Sequence, residues 1–520
     1  MMSTSLSGDI LPVKFRSSLT SEFNDYLVRE ENRFAPEDRL RVDLHCHDLN
    51  SDTPDELWGR ILGVPETWLK TRDLLNCLKQ NGSDVITVTN HNNARSCWKL
   101  LEQGIDVLVA AEFTCYFPEI NLYCHVLTYG FDPEQEVVLN TKRQNIYAFL
   151  RYAAERNLPV VLPHPLYFYT RNEHIDLVLF EKLAVMFQRF EVLNAQRDLW
   201  QSTLTLNWLQ DLTPDRIRAY ARKHRLDPAE FGVDPDRPKV LTGGSDDHMG
   251  IFAGQSGSYL GVPDLQERLK TSRPSQLALE ALRAGDVAPF GHVGENQKLN
   301  IALLDYFSQV ATRLEDPGLL RILLHRGETR DKLACFGISN ILLELQKRKH
   351  TRKFFEFIHD ALQGKKPNKM LKWKVPKSYR FCISHLERIA DSRHQSQEFF
   401  VATVNQSIAE LFAELNRLIV KRLGETSLIS EGNLLKGFST ENLTRHLEIP
   451  SQISALFLGG DSKHCRGGGR RLRELVDAVA FPALISLVLA GASLASTRAL
   501  YQNRRFLNDF AARIGRNHHE

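Results

Sequence analysis

The first 300 residues repeat one pattern, in which a short apolar run ends in, or is followed by, a histidine or an acid. The first instance is RVDLHCHDLNSD at residues 41–52, where two histidines stand one residue apart. Residues i and i+2 of a strand point the same way, so His45 and His47 can reach toward one point in space. Two imidazoles at this spacing indicate a metal site.

The apolar runs alternate with helix-like segments. ETWLKTRDLLNCLKQNG precedes SDVITVTNH, NARSCWKLLEQG precedes IDVLVAAEF, and TKRQNIYAFLRYAAERN precedes LPVVLPHP. Further candidate strands are MFQRFEVLNA, PKVLTGGSDDH and DVAPFGHV. This βα alternation predicts an α/β fold built on a parallel sheet or barrel.

Six of these segments carry a side chain of the type that binds metals. Functional residues of barrels and open α/β sheets gather at the carboxyl ends of parallel strands, so we expect these side chains to meet. The predicted ligands are His45, His47, Asp52, His91, Glu112, His125, His164, Asp246 and His248. Burying so many ionisable groups without cations would cost several kcal/mol per unpaired ion. Imidazoles and carboxylates without thiolates predict two or three divalent ions of zinc, manganese or iron rather than calcium.

The motifs DLHCHDLNSD, TNHNN, AAEFT, CHVLTYGF, LPHP and GGSDDH resemble, in order, the motifs of the PHP superfamily, named for polymerase and histidinol phosphatase. The resemblance covers about residues 40–295 and matches all nine predicted ligands. It implies a distorted seven-stranded β/α barrel, a trinuclear metal site and phosphoesterase activity. The segment RFEVLNA also resembles the family, which implies a supporting role for Glu191 and Asn194.

One position departs from the family pattern. The second motif usually reads Asp-His, whereas this chain has Asn90 before His91. Asn90 can hydrogen-bond but carries no charge, so metal affinity or ligand basicity is expected to differ. Since the ligand set is otherwise complete, we expect an active site, with Asp247 pointing outward or supporting a ligand.

The predicted reaction is hydrolysis of a phosphomonoester or nucleotide by hydroxide that bridges two or three metal ions. The candidates for protonating the leaving oxygen are Asp246 and His248. Arg143, Arg171 and Arg197 are candidate contacts for substrate phosphate, with ordinary surface charge as the alternative. Two other functions stay open: a nuclease acting on single-stranded nucleic acid, and a non-catalytic PHP scaffold that acts through its helices.

Length and charge divide the chain. At 520 residues it is too long for one ordinary domain. Residues 301–520 hold 34 Lys and Arg against 22 Asp and Glu, a net charge of +12, which leaves 32 against 41, or −9, for residues 1–300. We predict an N-terminal extension at 1–39, a PHP-type barrel at 40–297 and an all-α helical domain at 298–520. The basic half could attract nucleic acid, a neighbouring subunit or a membrane face.

The stretch QEFFVATVNQSIAELFAELNRLIVKRLG is typical of an amphipathic helix that ends near Gly424. Its apolar residues recur at a spacing of three or four and are Val404, Ile408, Leu411, Leu415 and Leu418. Such a helix predicts a bundle or a homo-oligomer contact.

The apolar run AVAFPALISLVLAGASLA at 478–495 is of marginal length for a membrane span. Pro482 and Gly491 favour a buried helix hairpin, with membrane association as the alternative. The N-terminus lacks the pattern of a signal peptide, and the eight cysteines form no paired framework. We therefore expect a cytoplasmic protein with reduced thiols.

Overall fold

The structure is a computed structural model. It describes residues 13–51, 59, 62–120, 122–167, 177–197, 199–292, 296–314, 325, 329, 332–333, 335–340, 349–368, 375, 377–425, 482, 485–486, 488–490 and 492. The described residues as far as Ile341 form one compact unit, and those between Leu342 and Ser493 form a second. The predicted domain ranges 1–39, 40–297 and 298–520 stay predictions.

The strands of the described residues all lie in the first unit. They are β1 (Arg39–Val42), β2 (Thr87–Val88), β3 (Leu108–Tyr116), β4 (Tyr123–Tyr129), β5 (Val160–Val161), β6 (Arg189–Asn194), β7 (Val240–Gly244), β8 (Gly257–Gly261) and β9 (Val287–Phe290). They form three sheets, with the orders β1-β8-β9, β2-β3-β4-β5 and β6-β7.

The predicted seven-stranded barrel is wrong. Over the described residues the sheets have three, four and two strands, and no closed barrel forms. Only β2 with β3 and β6 with β7 pair in parallel, whereas β1-β8, β8-β9, β3-β4 and β4-β5 are antiparallel. Strands of two residues, such as Val160–Val161, cannot continue a ladder, and isolated bridges such as Leu162 to Phe190 stand in its place. The fold is therefore mixed α/β with many helices.

The helices of the first unit lie between and after these strands. They are α1 (Val13–Glu31), α2 (Thr71–Gln80), α3 (Arg95–Glu102), α4 (Pro133–Lys142), α5 (Ile146–Glu155), α6 (Leu177–Met186), α7 (Leu199–Gln210), α8 (Pro214–His224), α9 (Leu265–Arg268), α10 (Pro274–Ala284) and α11 (Asn296–Arg313). The helix expected over 141–157 is interrupted, because Asn145 accepts hydrogen bonds from the first amides of α5 and so starts a new helix.

Strand β3 divides the core of the first unit. Phe113 faces one apolar cluster, where its ring lies 5.3 Å from that of Phe149. Leu108 and Ala110 point the other way and pack in a second cluster. Glu112 shares this second face because side chains alternate along a strand, so the strand carries a carboxylate into the protein interior.

The described helices of the second unit include α12 (Lys349–Leu362), α13 (Arg380–Ser392) and α14 (Gln397–Glu425). Helix α14 confirms the helix predicted over this stretch. Four of its predicted apolar positions are buried, namely Val404, Ile408, Leu411 and Leu415. Most of the run 478–495 lies outside the described residues. Where the chain is described, none of its helices combines the length and apolarity needed to cross a membrane.

Candidate metal centre

Glu112 on β3 is the centre of a buried cluster of histidines. One of its oxygens, Oε2, lies 3.2 Å from Nε2 of His45, 3.3 Å from Nε2 of His47 and 3.3 Å from Nδ1 of His91. Glu112 is only 1% exposed. Three imidazoles from two separate segments therefore converge on a single carboxylate oxygen.

The other oxygen of Glu112, Oε1, contacts two more histidines. It lies 2.9 Å from Nδ1 of His125 and 3.3 Å from Nε2 of His164. The expectation that all ligands stand at carboxyl ends of parallel strands fails for His125. Strand β4 runs antiparallel to β3, and Thr114 pairs with His125 near the start of β4. His125 thus reaches Glu112 across a strand pair.

The HxH pair lies just beyond β1, where Cys46 forms an isolated bridge with Asp247. His45 and His47 are both fully buried and face the cluster, whereas Cys46 between them bonds to the carbonyl of Thr87. The backbone of residues 45–47 lies beside that of residues 246–247, because the amide of Asp246 donates to the carbonyl of His45. The i and i+2 geometry predicted for the two histidines is the one observed.

Asp246 brings a second carboxylate to the pair. Its Oδ1 lies 3.4 Å from Nε2 of His45 and 3.6 Å from Nε2 of His47. Asp246 has φ of 52° and His164 has φ of 31°, a left-handed backbone that residues with a Cβ rarely adopt. Strained backbone of this kind persists where the surrounding structure holds it, and it concentrates at functional sites.

His248 completes the cluster and is its most exposed imidazole, with 15% of its side chain accessible. Its Nδ1 lies 2.9 Å from the carbonyl of Asp246 and donates to it, which leaves Nε2 without a proton in the neutral ring. Its ring stacks on that of His47 with centroids 4.1 Å apart. The cluster therefore meets solvent at His248.

The imidazoles and carboxylates of the cluster lie close together in the protein interior, where little water screens their charges. Burial disfavours charge on His45, but the neighbouring carboxylates, Asp246 first, raise the pKa of His45 well above its usual value. Burial likewise disfavours an ionised Glu112, but the imidazoles, His125 first, hold the pKa of Glu112 well below its usual value. Burial lowers the pKa of His47 to about 3.

Glu191 and Asn194 on β6 support the cluster. Oε1 of Glu191 lies 2.9 Å from Nδ1 of His45, while its Oε2 accepts from the amide of His164 and from Nδ2 of Asn194. Gly244 makes room for this contact, because a Cβ there would lie 2.7 Å from Oε1 of Glu191. Carboxylates that hold the far nitrogen of a ligating imidazole fix its orientation.

Asn90 bonds to Asp48 rather than to a histidine of the cluster. Its Nδ2 donates to Oδ1 of Asp48 at 2.8 Å, and its Oδ1 accepts from the amide of Asp48 at 2.9 Å. Ser96 also donates to Oδ1 of Asp48. Asn90 carries no charge, and the carboxylate at this place is that of its hydrogen-bond partner Asp48.

Glu66 belongs to the cluster, and sequence reasoning missed it. Its Oε2 lies 2.9 Å from Nε2 of His91 and 3.7 Å from Nε2 of His248, and the residue is 3% exposed. The sequence pattern placed it in a helix, but α2 begins only at Thr71. The described residues just before Glu66, 59 and 62–65, form no strand, so the strand-end signal used for the other ligands did not apply to it.

Two predicted site residues, Asp52 and Arg171, lie outside the described residues. Arg143 donates from Nη1 to the carbonyl of Thr114 at 3.2 Å, and its assignment to substrate stays a prediction. Asp247 does not point outward, because it is buried and accepts hydrogen bonds from the amides of Gly250 and Phe252.

Arg197 lies beside the cluster. Its Nη2 is 3.3 Å from Oδ2 of Asp246, and its guanidinium lies over the ring of Tyr167, 3.7 Å from the centroid. It is 8% exposed. A cation stacked on an aromatic face in this way is held in one orientation.

The donor set suits a divalent cation. Four groups bring their ligand atoms within 4.8 Å of one another: His47, His91 and His248; His45, His47 and Asp246; His45, Glu112 and His164; and His91, Glu112 and His125. Nε2 of His47 and Nδ1 of His164 are buried without a hydrogen-bond partner among the described residues. Imidazole and carboxylate donors suit zinc, manganese or iron.

Comparison with known proteins adds little to this geometry. No protein-family model matches the chain, and no curated protein does. A candidate metal-dependent phosphoesterase from Bifidobacterium adolescentis is 13% identical over 43% of this chain and 91% of its own, with a TM-score of 0.26. An amidohydrolase from Chromobacterium violaceum, with bound sulfate and no metal, is 15% identical over 46% of this chain and 96% of its own, with a TM-score of 0.25. TM-scores this low do not establish a common fold, so the assignment of a metal centre rests on the residue cluster alone.

Proposed function

We propose that this chain is a metal-dependent phosphoesterase of the PHP type that hydrolyses a phosphomonoester or nucleotide. The observation that carries the proposal is Glu112, a buried carboxylate in contact with five imidazoles. Because both of its oxygens face imidazoles, Glu112 would contribute to holding divalent ions on its two sides. The motif order in the sequence supports the same reaction class.

The proposed ligands are the residues of the four groups, with His45 held in place by Glu191. Bound divalent ions would lower the pKa of a coordinated water and neutralise phosphoryl charge. The chain itself orients the imidazoles and excludes bulk water, since all but His248 are at most 8% exposed. A substrate would reach the cluster on the side where His248 meets solvent.

Asp246 and His248 were the predicted proton donors. Although burial opposes its charge, His45 and then Arg197 lower the pKa of Asp246, so the carboxylate stays ionised at neutral pH. An ionised carboxylate can accept a proton but has none to donate. Within this proposal Asp246 is a ligand. His248 could protonate the leaving oxygen only while its Nε2 binds no ion, and this role stays a prediction.

Arg197 is the proposed contact for the substrate phosphate. Its guanidinium is beside Asp246 and is oriented by Tyr167, and a planar guanidinium recognises phosphate oxygens through two hydrogen bonds. The proposal also includes a small phosphorylated substrate or nucleotide, binding of nucleic acid by the basic half, self-association through the helical domain and a cytoplasmic location.

The test is metal content together with turnover. Purified wild type is compared with the double variant His45→Ala/His47→Ala by elemental analysis, and hydrolysis of an aryl phosphate ester is measured with added manganese. The matched control is His394→Ala, which removes an exposed histidine of the second unit. We expect the double variant alone to lose metal and activity.

The outcomes separate the alternatives. The nuclease is favoured if the protein cleaves a short single-stranded oligonucleotide but no nucleotide or aryl ester. Its rates should then fall steeply with added salt. Wild-type protein with neither bound metal nor manganese-dependent turnover would contradict the proposal and favour a non-catalytic scaffold.

A further inference from the structure

We propose that Glu66 is a metal ligand that adds a carboxylate to the group formed by His47, His91 and His248, and that the four side chains hold one divalent ion of the zinc, manganese or iron class. This inference rests on the proposed function. It concerns a residue that lies outside every motif of the family resemblance and comes from the loop before α2.

The distances fit a shared cation. Oε2 of Glu66 lies 2.9 Å from Nε2 of His91 and 3.7 Å from Nε2 of His248. Ligand atoms of a tetrahedral site with bonds of about 2.0 Å lie about 3.3 Å apart, between these two values. Because His248 donates from Nδ1 to a backbone carbonyl, its Nε2 is available to bind an ion beside Glu66.

Charge distinguishes this group from the others. The other three groups each contain a carboxylate, either Glu112 or Asp246, whereas His47, His91 and His248 are all imidazoles. A carboxylate beside these imidazoles would compensate part of the charge of a buried divalent ion, in addition to Glu112, whose Oε2 lies 3.3 Å from His47 and from His91. Glu66 is 3% exposed and its Oε2 faces two members of this group, so it brings negative charge to them.

The loop of Glu66 is fixed to the cluster rather than loosely placed. The hydroxyl of Thr67 donates to the carbonyl of His248 and accepts from the amide of Leu69. The carbonyl of Leu69 in turn accepts from the amide of Leu49, two residues after His47. The Glu66 loop therefore bonds directly to two of the three segments that carry its proposed partner histidines, those of His47 and His248.

The experiment counts ions on the full-length protein. Wild type, Glu66→Gln, Glu66→Ala and the control Glu134→Gln, which changes an exposed glutamate of α4, are saturated with zinc, dialysed and measured by elemental analysis. Gln keeps the size of Glu and can accept a hydrogen bond from His91, but its neutral amide is a poor metal ligand. We expect both Glu66 variants to lose about one ion per chain, with the control unchanged.

Circular dichroism and thermal melting of the chelator-treated proteins check that Glu66→Gln folds like wild type. If Glu66→Gln keeps the full ion count while Glu66→Ala does not, Glu66 is only a hydrogen-bond acceptor for His91 and the inference is overturned. If both variants keep every ion, it is overturned as well, with the proposed function intact. Wild type without zinc would overturn both.

Discussion

Glu191 holds the far side of the His45 ring: its Oε1 lies 2.9 Å from Nδ1 of His45, while Nε2 of the same ring faces Glu112 at 3.2 Å. One imidazole thus stands between two buried carboxylates. Protonated at Nδ1 toward Glu191, the neutral ring presents a lone pair toward Glu112, which is a favourable arrangement when a cation lies at that end.

The first prediction follows from this contact. Glu191→Gln weakens the hold on His45 and removes a charged acceptor from the amide of His164, so metal affinity is expected to fall about 10- to 100-fold. Competition with a coloured chelator measures the affinity. The matched change Glu102→Gln, at an exposed position of α3, is expected to leave it unchanged, and equal affinities in both variants would contradict a supporting role for Glu191.

The second prediction concerns Asn90 and Asp48. Asn90→Asp places a carboxylate against Oδ1 of Asp48 where an amide now donates at 2.8 Å, with both residues buried. The free energy of unfolding is expected to fall by about 2–4 kcal/mol, because two buried carboxylates repel each other and a hydrogen bond is lost. Denaturation by urea at neutral pH measures it, with the exposed Asn32→Asp as the control.

A double variant makes the second prediction sharper. Asp48→Asn/Asn90→Asp exchanges the two side chains and restores one charge and one amide. We expect it to be more stable than Asn90→Asp alone by about 1–2 kcal/mol, as a double-mutant cycle would report. A double variant no more stable than the single one would show that the charge balance of the pair does not explain Asn90.

Much of the candidate site could be predicted from the sequence, whereas the pairing and direction of the strands could not. Histidines and acids next to apolar runs are local signals, and residues such as His45, His91 and Glu112 indeed meet. The direction of a strand is not local. His125 sits on an antiparallel strand, yet its apolar run reads like the others. Glu66 reaches the site from a loop whose path depends on tertiary bonds such as that of Thr67, which no periodicity reveals.

The third prediction is a pH dependence of stability centred on Lys239. Its Nζ donates to the carbonyls of Ala184 and Phe187 at the end of α6, and burial lowers its pKa to about 7. Between that value and the ordinary lysine pKa, the unfolded chain binds more protons than the folded chain. Lys239 therefore makes the folded state more stable as pH rises through this window.

Lys239→Met removes that titration. The unfolding free energy of wild type, relative to the variant, is expected to increase by up to about 3 kcal/mol from pH ~7 to pH ~9.5. Urea denaturation of both proteins across this range measures the difference, and the exposed Lys270→Met is the control for a general effect of lost charge. A difference that stays constant with pH would contradict the prediction.

The fourth prediction separates a substrate contact from a structural one at Arg197. Its guanidinium lies over Tyr167 and 3.3 Å from Asp246, so it could either hold the cluster or bind substrate phosphate. Arg197→Lys keeps the charge but not the planar fork. If Arg197 binds phosphate, KM for the aryl phosphate is expected to rise about 10-fold with the bound metal unchanged, since a lost bidentate contact costs about 1.4 kcal/mol or more.

If the variant instead loses metal and keeps the KM of its remaining activity, Arg197 acts through Asp246. Steady-state kinetics beside elemental analysis of the same preparation decides between the two, because only a residue that touches substrate changes KM while every ion stays in place.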